Sequence, residues 1–428
     1  MGEMIVTILA FVLVFGTIVF VHEFGHYTLA KRSGILVREF AIGMGPKLFA
    51  YRKSGTTYTL RILPLGGYVR MAGLEEDSEE LKKGMVVSLI LGENGKVSKI
   101  NTSQKVSLMG GIGLELADWD LVDELYISGY ENGNEDELKC YEVDHDALLV
   151  EHDGTEVQIA PRDVQFQSAP LVSRMLTNFA GPFNNFILAI VAFALVAVLQ
   201  GGVKTMTNTI ASVQPNSVAH QAGIKAGDQL VEVAGVKTND WTKLAQTISE
   251  RPGKKTTVVV KRQSTRLKFE LTPKATQVNG QKVGLIGITS KLTVNRSPLA
   301  IIGYGFKESW QVTIQVLAAL KNMVTKGFNL DQLGGPVAMY SFTSQAAHYG
   351  LASVIMLLGL LSINLGIFNL LPIPALDGGK ILLNIIEAIR GKPLDPNKEM
   401  IVTVAGFAFL LILMVLVTWN DIARYFLH

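Results

Sequence analysis

The stretch MIVTILAFVLVFGTIVFV, Met4 to Val21, is an apolar run that leads directly into His22-Glu23-Phe24-Gly25-His26. A run of this length, continued by the helical turns that follow, can cross a bilayer. Two histidines four residues apart lie on one face of a helix, so both imidazoles can reach one metal ion. Glu23 stands beside the first of them, where its carboxylate can take a proton from an attacking water. His and Glu are unremarkable singly at a helix end. This spacing at the end of a membrane helix, where ionisable side chains are costly, points to zinc-dependent hydrolysis.

Composition agrees with a membrane protein. Of 428 residues, 48% are hydrophobic and only 18% charged, and the mean hydropathy is +0.31. A formal net charge of +2 gives no reason to expect nucleic acid as a partner. The single cysteine, Cys140, excludes an internal disulfide and a cysteine-rich zinc site, so a metal must be held by His and carboxylate. The start, Met1-Gly2-Glu3, is acidic and unlike a cleaved signal peptide. Lys31, Arg32 and Arg38 follow the first span, which predicts an extracytoplasmic N-terminus and a cytosolic residue 31 onward.

Three further apolar segments complete an expected set of four transmembrane helices. The second covers 175–202. The third, Leu351 to Leu371, runs into Pro372, Pro374 and Gly378-Gly379, and the fourth is Ile401 to Trp419. Four crossings return the C-terminus to the outside. Arg390, Lys392 and Lys398 then fall in a cytosolic loop. The expected division is a first span with the metal motif (1–30), a cytosolic block (31–174), the second span (175–202), an outside module (203–291), an outside interfacial segment (292–345), a broken third span (346–390), and a fourth span with tail (391–428).

The cytosolic block opens with strand-like alternation, as in Tyr58-Thr59-Leu60-Arg61-Ile62, bounded by Gly55 and Pro64. Its middle, residues 75–160, is acidic and mixed and shows no recognisable chemistry. Gly110-Gly111-Ile112-Gly113 reads as a turn; a phosphate loop would need a lysine and flanking strand and helix. Outside, short strands at Thr209–Val213, Gln229–Ala234, Thr256–Lys261 and Leu267–Leu271, with a helix at Trp241–Glu250, predict a small α+β module. Pro298 to Val324 mixes apolar and charged residues and predicts a helix lying at the membrane interface rather than a fifth span.

Catalytic zinc usually has three protein ligands and one open position. Asp377 is the best candidate for the third. It lies in Asn369-Leu370-Leu371-Pro372-Ile373-Pro374-Ala375-Leu376-Asp377-Gly378-Gly379, a break between the third apolar run and a further helix, Lys380 to Ile389. Broken backbone at membrane depth is tolerated only in protein or beside a wet cavity, and a carboxylate there needs a cation. His145, His152, His220, His348 and His428 lie in polar or terminal segments and are poorer ligands.

On these motifs the chain resembles the site-2 proteases, regulated intramembrane zinc metalloproteases of the RseP/RasP type. Matching features are His22 to His26, Leu376-Asp377-Gly378, Gly181-Pro182-Phe183-Asn184-Asn185 and Leu65-Gly66-Gly67-Tyr68-Val69. The outside module resembles a PDZ domain through Val213 to Ala219 and Ala222 to Leu230, and its single copy is similar to Gram-positive members. The resemblance implies an α-helical polytopic protein of a bacterial cell membrane, with about four transmembrane helices, a membrane-associated β-hairpin and an extracytoplasmic α+β PDZ-like domain. It implies that His22, His26 and Asp377 bind Zn2+, near the cytosolic face, and that Glu23 is the catalytic base. Asn369 would hold substrate backbone or the developing oxyanion, and the strand at Gly66 and Gly67 would pair with unwound substrate. Implied partners are the lipid bilayer and single-span membrane proteins: anti-sigma factors, signal-peptide remnants or pheromone precursors, trimmed first by a site-1-type protease.

Two other readings stay open at this stage. Another membrane H-E-x-x-H enzyme, such as a prenyl-protein protease, would share the first motif but use a Glu as third ligand. A membrane scaffold would need neither Glu23 nor Asp377.

Overall fold

In the computed structural model the apolar run and the histidine motif form one helix, α1 (Gly2–Arg32). The description covers residues 2–73, 81–103, 110–132, 134, 137–152, 154–237, 239–278, 281–327 and 333–426; His428 lies outside it. Among these residues four helices are long and apolar enough to cross a membrane: α1, α2 (Leu171–Leu199), α7 (Leu351–Asn369) and the bulk of α9 (Pro396–Phe426). The motif is therefore inside a continuous helix, with Lys31 and Arg32 in its last turn.

After α1 the chain forms β1 (Val37–Lys53) and β2 (Thr56–Met71), a long hairpin bent so that β1 pairs twice. Phe40 meets both Val69 and Tyr58, and Ile42 meets both Gly67 and Leu60. Residues 39–42 are thus paired on both sides, and the unpaired edges belong to 47–53 and to 67–71. Leu48, Phe49, Tyr51, Ile62 and Leu63 on this sheet are exposed, which suits an apolar medium better than water.

Residues 75–160, opaque in sequence, contain a second sheet: β3 (Val86–Leu91), β4 (Val97–Asn101), β5 (Ile112–Asp120), β6 (Tyr126–Glu131), β7 (Leu138–Val150) and β8 (Glu156–Gln158). Its order is β4-β3-β5-β6-β7-β8, and β4 also pairs with β7, which closes five strands on themselves. Leu89, Ile100, Leu114, Leu116 and Ile127 fill the interior. Gly110, at φ +80°, turns the chain toward β5. Cys140 is exposed.

The second helix begins at Leu171, four residues before the expected 175, with Gly181-Pro182 inside it. Proline in a helix interior removes one backbone hydrogen bond, a loss that a helix packed among other helices can accommodate. The third span ends at Asn369 and the chain resumes as α8 (Asp377–Arg390), so the break falls where Pro372 and Pro374 predict it.

Residues 194–305 form a separate compact unit. It contains β9 (Val203–Val213), α3 (Val218–Gln221), β10 (Gln229–Val233), β11 (Val236–Lys237), α4 (Trp241–Ser249), β12 (Thr256–Arg262), β13 (Thr265–Leu271), β14 (Lys274–Val278), β15 (Gln281–Leu285) and β16 (Ile288–Asn295). The main sheet has the order β13-β12-β10-β9-β16, with β11 on β10. Leu230, Val233, Leu244, Ile248, Val258 and Val260 form its core. The last strand runs to Asn295, so this sheet extends past residue 291, where the sequence suggested an end.

Two helices complete the chain, α5 (Pro298–Lys326) and α6 (Pro336–Tyr349). Along α5, Leu299, Ile302, Phe306, Trp310, Ile314 and Leu317 recur every three or four residues and are exposed. This is one apolar face of a helix that does not qualify as a span. The first helix packs on α6 and α7.

The start of α6 is tied to α9 by Asp421, which is 2% exposed and accepts a hydrogen bond from Ala338 N at 2.9 Å. Asp421→Ala strands a buried N–H at a helix N-terminus and should cost about 1–2 kcal/mol. Asp421→Asn keeps an acceptor and should lose less. Thermal unfolding of both variants in detergent tests the ordering.

Candidate metal centre

The spacing of His22 and His26 puts both rings on the same side of α1, and the helix break brings Asp377 to them. His22 Nε2 and His26 Nε2 are 3.3 Å apart. Asp377 Oδ2 is 3.3 Å from each. Atoms held about 2.0–2.1 Å from a tetrahedral zinc are separated from one another by roughly 3.3 Å, so the triangle has the dimensions of one face of that tetrahedron.

The protonation pattern supports the same fit. His26 Nδ1 lies 2.7 Å from the Thr177 carbonyl, an acceptor, so Nδ1 carries the proton and Nε2 offers its lone pair. Asp377 Oδ2 is buried without a hydrogen-bond donor. A neutral ring nitrogen and a carboxylate oxygen that face each other in a buried site repel unless a cation lies between them. His22, His26 and Asp377 are the one group of three or more metal-binding side chains found among the described residues.

The space for an ion is made by the second helix. A Cβ on Gly181 would lie 2.8 Å from His22 Cε1 and far inside contact distance of His26 Nε2. A Cβ on Gly25 would likewise collide with the Ala180 carbonyl. Glycine at both positions lets the two helices approach until Asn184 Nδ2 donates to the Val21 carbonyl at 3.2 Å.

Asp377 is aimed by a corner of unusual backbone. Ala375 has φ +78°, a left-handed conformation costly for a residue with a Cβ. The corner is wedged on several sides. Gly378 lies against the carbonyls of Leu370 and Leu371, Gly379 against that of Ile373, and Gly406 of α9 against that of Pro374, each with no room for a Cβ. The helix that follows is anchored by Glu387, which receives Arg174 of α2 at 2.6 and 3.0 Å, a partly buried bidentate pair.

Glu23 faces the hairpin. A Cβ on Gly67 would lie 3.1 Å from Glu23 Cγ and 2.9 Å from Val19 Cγ1, so only glycine lets the free edge of β2 lie against α1 at this point. Gly66, at φ +82°, turns the chain there beside Met44. The charges nearby are internally paired: Tyr68 donates to Glu39 at 2.8 Å, and Arg61 donates to both. Burial and the Glu39 carboxylate push the Tyr68 phenol up to about 12, which keeps it a neutral donor.

The sequence matches the peptidase family M50 over residues 10–413. The chain belongs to this family. Among its relatives, a protein named probable protease eep from Enterococcus faecalis is 52% identical over 422 residues, covering 98% of this chain and 99% of the relative. A putative zinc metalloprotease from Lactococcus lactis is 47% identical over 444 residues, covering 99% and 100%. One from Streptococcus pyogenes serotype M3 is 48% identical over 424 residues, covering 98% and 99%. The M50 chain is thus a zinc metalloprotease and a multi-pass membrane protein.

Of the residues singled out in sequence, His22, His26 and Asp377 converge, and Glu23 and Gly67 sit together beside them. Asn369 ends α7 at the start of the break. Thr177, Gly181 and Asn185 of α2 reach the two histidines, a role that residue spacing alone does not reveal. Gly181→Ala should lower zinc content and peptide cleavage at least tenfold. Gly16→Ala, where a Cβ meets nothing within 4 Å, should change neither. Metal analysis of the purified variants makes the comparison.

Proposed function

We propose that the chain is an intramembrane zinc endopeptidase that cuts single-span membrane proteins in regulated intramembrane proteolysis. The observation that carries this reading is the 3.3 Å triangle of His22, His26 and Asp377 donor atoms, built on helices apolar enough to span a membrane. His22, His26 and Asp377 hold the ion. A zinc ion in that place acidifies water and polarises a carbonyl. Glu23 accepts the proton of the attacking water on its carboxylate and returns it to the leaving amine. The free edge at Gly66-Gly67 pairs with substrate backbone, which requires the substrate helix to unwind first. Asn369 supports the substrate carbonyl. Substrates in this reading are anti-sigma factors, signal-peptide remnants or pheromone precursors, trimmed beforehand by another protease. Both termini are extracytoplasmic and the zinc site lies near the cytosolic face, as the positions of Lys31, Arg32, Arg390 and Lys392 support.

Glu23→Gln should abolish cleavage of a single-span substrate while zinc stays stoichiometric, because the base is lost and the ligands remain. Asp377→Ala should lose both zinc and cleavage. Wild-type turnover by the first variant, or normal zinc affinity in the second, would overturn the assigned roles.

The unit at 194–305 acts in this reading as a PDZ-like size filter inserted between the second and third spans. Its five-strand order, capped by α4, supports a folded obstacle that excludes bulky extracytoplasmic domains. Replacing residues 203–295 by a flexible linker should then permit cleavage of untrimmed substrate without speeding cleavage of the trimmed form. A truncated enzyme that cuts only trimmed substrate refutes the filter.

A further inference from the structure

The two histidines are held differently. The His26 ring is set by a backbone carbonyl, whereas the His22 ring is set by a side chain: Asn185 Nδ2 lies 3.1 Å from His22 Nδ1. Asn185 is fully buried. Its carbonyl oxygen, Oδ1, has no hydrogen-bond donor. Its own backbone carbonyl accepts from Ser362 Oγ at 2.8 Å, which fixes this turn of α2 against α7. The amide therefore has little freedom except rotation about its last side-chain bond.

That rotation gives the ring nitrogen an acceptor and the amide oxygen a donor, and it moves the amide NH2 to the place where Oδ1 had no donor. If His22 is to bind an ion through Nε2, its proton must reside on Nδ1, and Nδ1–H then needs an acceptor. Turning the Asn185 amide over exchanges its nitrogen for its oxygen, since the two ends have nearly the same shape. The oxygen without a donor then faces the donor without an acceptor. The same helix thereby serves both ligands, with Thr177 and Asn185 two turns apart against His26 and His22 four residues apart.

We propose that Asn185 is the positioning residue of the metal centre: its side-chain oxygen accepts from His22 Nδ1–H, holding that ring in the tautomer and orientation that present Nε2 to the ion. This rests on the zinc site proposed above. Outer partners of metal-binding histidines raise metal affinity by about 10–100-fold.

The test uses full-length protein in detergent, with zinc affinity read by competition against a chromogenic chelator. Asn185→Ala and Asn185→Leu remove the acceptor and should weaken zinc binding at least tenfold. Asn185→Asp keeps an acceptor oxygen at the same place and should stay within about threefold of wild type, by the same reasoning about outer-ligand acceptors. Thermal unfolding of the zinc-free proteins should be alike for the folded variants, which a purely structural role does not predict. Equal affinity in wild type and Asn185→Leu overturns the proposal, as does a loss in Asn185→Asp as large as in Asn185→Leu. If Asn185→Ala does not fold, the Leu and Asp pair decides. Wild-type protein that binds no zinc refutes the site itself, whereas a zinc-binding wild type indifferent to Asn185 refutes only this inference.

Discussion

Two imidazole nitrogens and a carboxylate oxygen stand 3.3 Å apart inside a bundle of apolar helices. Where ring lone pairs face the carboxylate, as the Thr177 carbonyl arranges for His26, such a cluster repels itself without a cation, and burial makes the repulsion worse because water cannot screen it. With one, the same three atoms become attractive and tie α1 to the broken segment after α7. The fold around the triangle is a set of provisions for holding it: a helix that brings two histidines four residues apart to one side, a corner that brings Asp377 to them, and a second helix that packs against both rings.

Most of those provisions are absences of side chains. Gly25 and Gly181 let α1 and α2 approach, Gly378 and Gly379 fold the Asp377 corner onto the end of α7, and Gly406 notches α9 to receive Pro374. In a membrane the hydrophobic effect does not press helices together, so close contact through small residues takes over that role. Polar groups then add direction. The Asn184 amide, the Ser362 hydroxyl and the Arg174–Glu387 pair each cross between helices, and the Ser362 bond is fully buried.

The hairpin stands beside this centre because β2 also carries a glycine at the point of contact. Gly67 admits the strand edge to within reach of Glu23, while residues 39–42 are sealed by pairing on both sides. Of the two open edges, 67–71 is the one beside Glu23. Exposed strand edges usually invite pairing; here Gly67 sets that edge against Val19 and Glu23 of α1.

The sequence by itself determined the elements whose information is local. Unbroken apolar length announces α1, α7 and α9, and two prolines announce the break before Asp377. The four-residue spacing places His22 and His26 on one helix face, whatever the rest of the chain does. Local pattern placed the start of the second span at 175, four residues late, because the first turns of α2 are less apolar than its middle. It did not reach the closed sheet of residues 86–158, whose strands pair at long range across charged, mixed segments. The helix break and the resemblance already singled out Asp377 in the sequence, but the meeting itself, across more than 350 residues, is made by tertiary structure. That structure also decided that Gly181 leaves no side chain beside them and that Asn185 and Thr177 come within hydrogen-bond distance of their Nδ1 atoms. These are relations between helices, and a relation between helices is written in how surfaces fit, which no single stretch of residues contains.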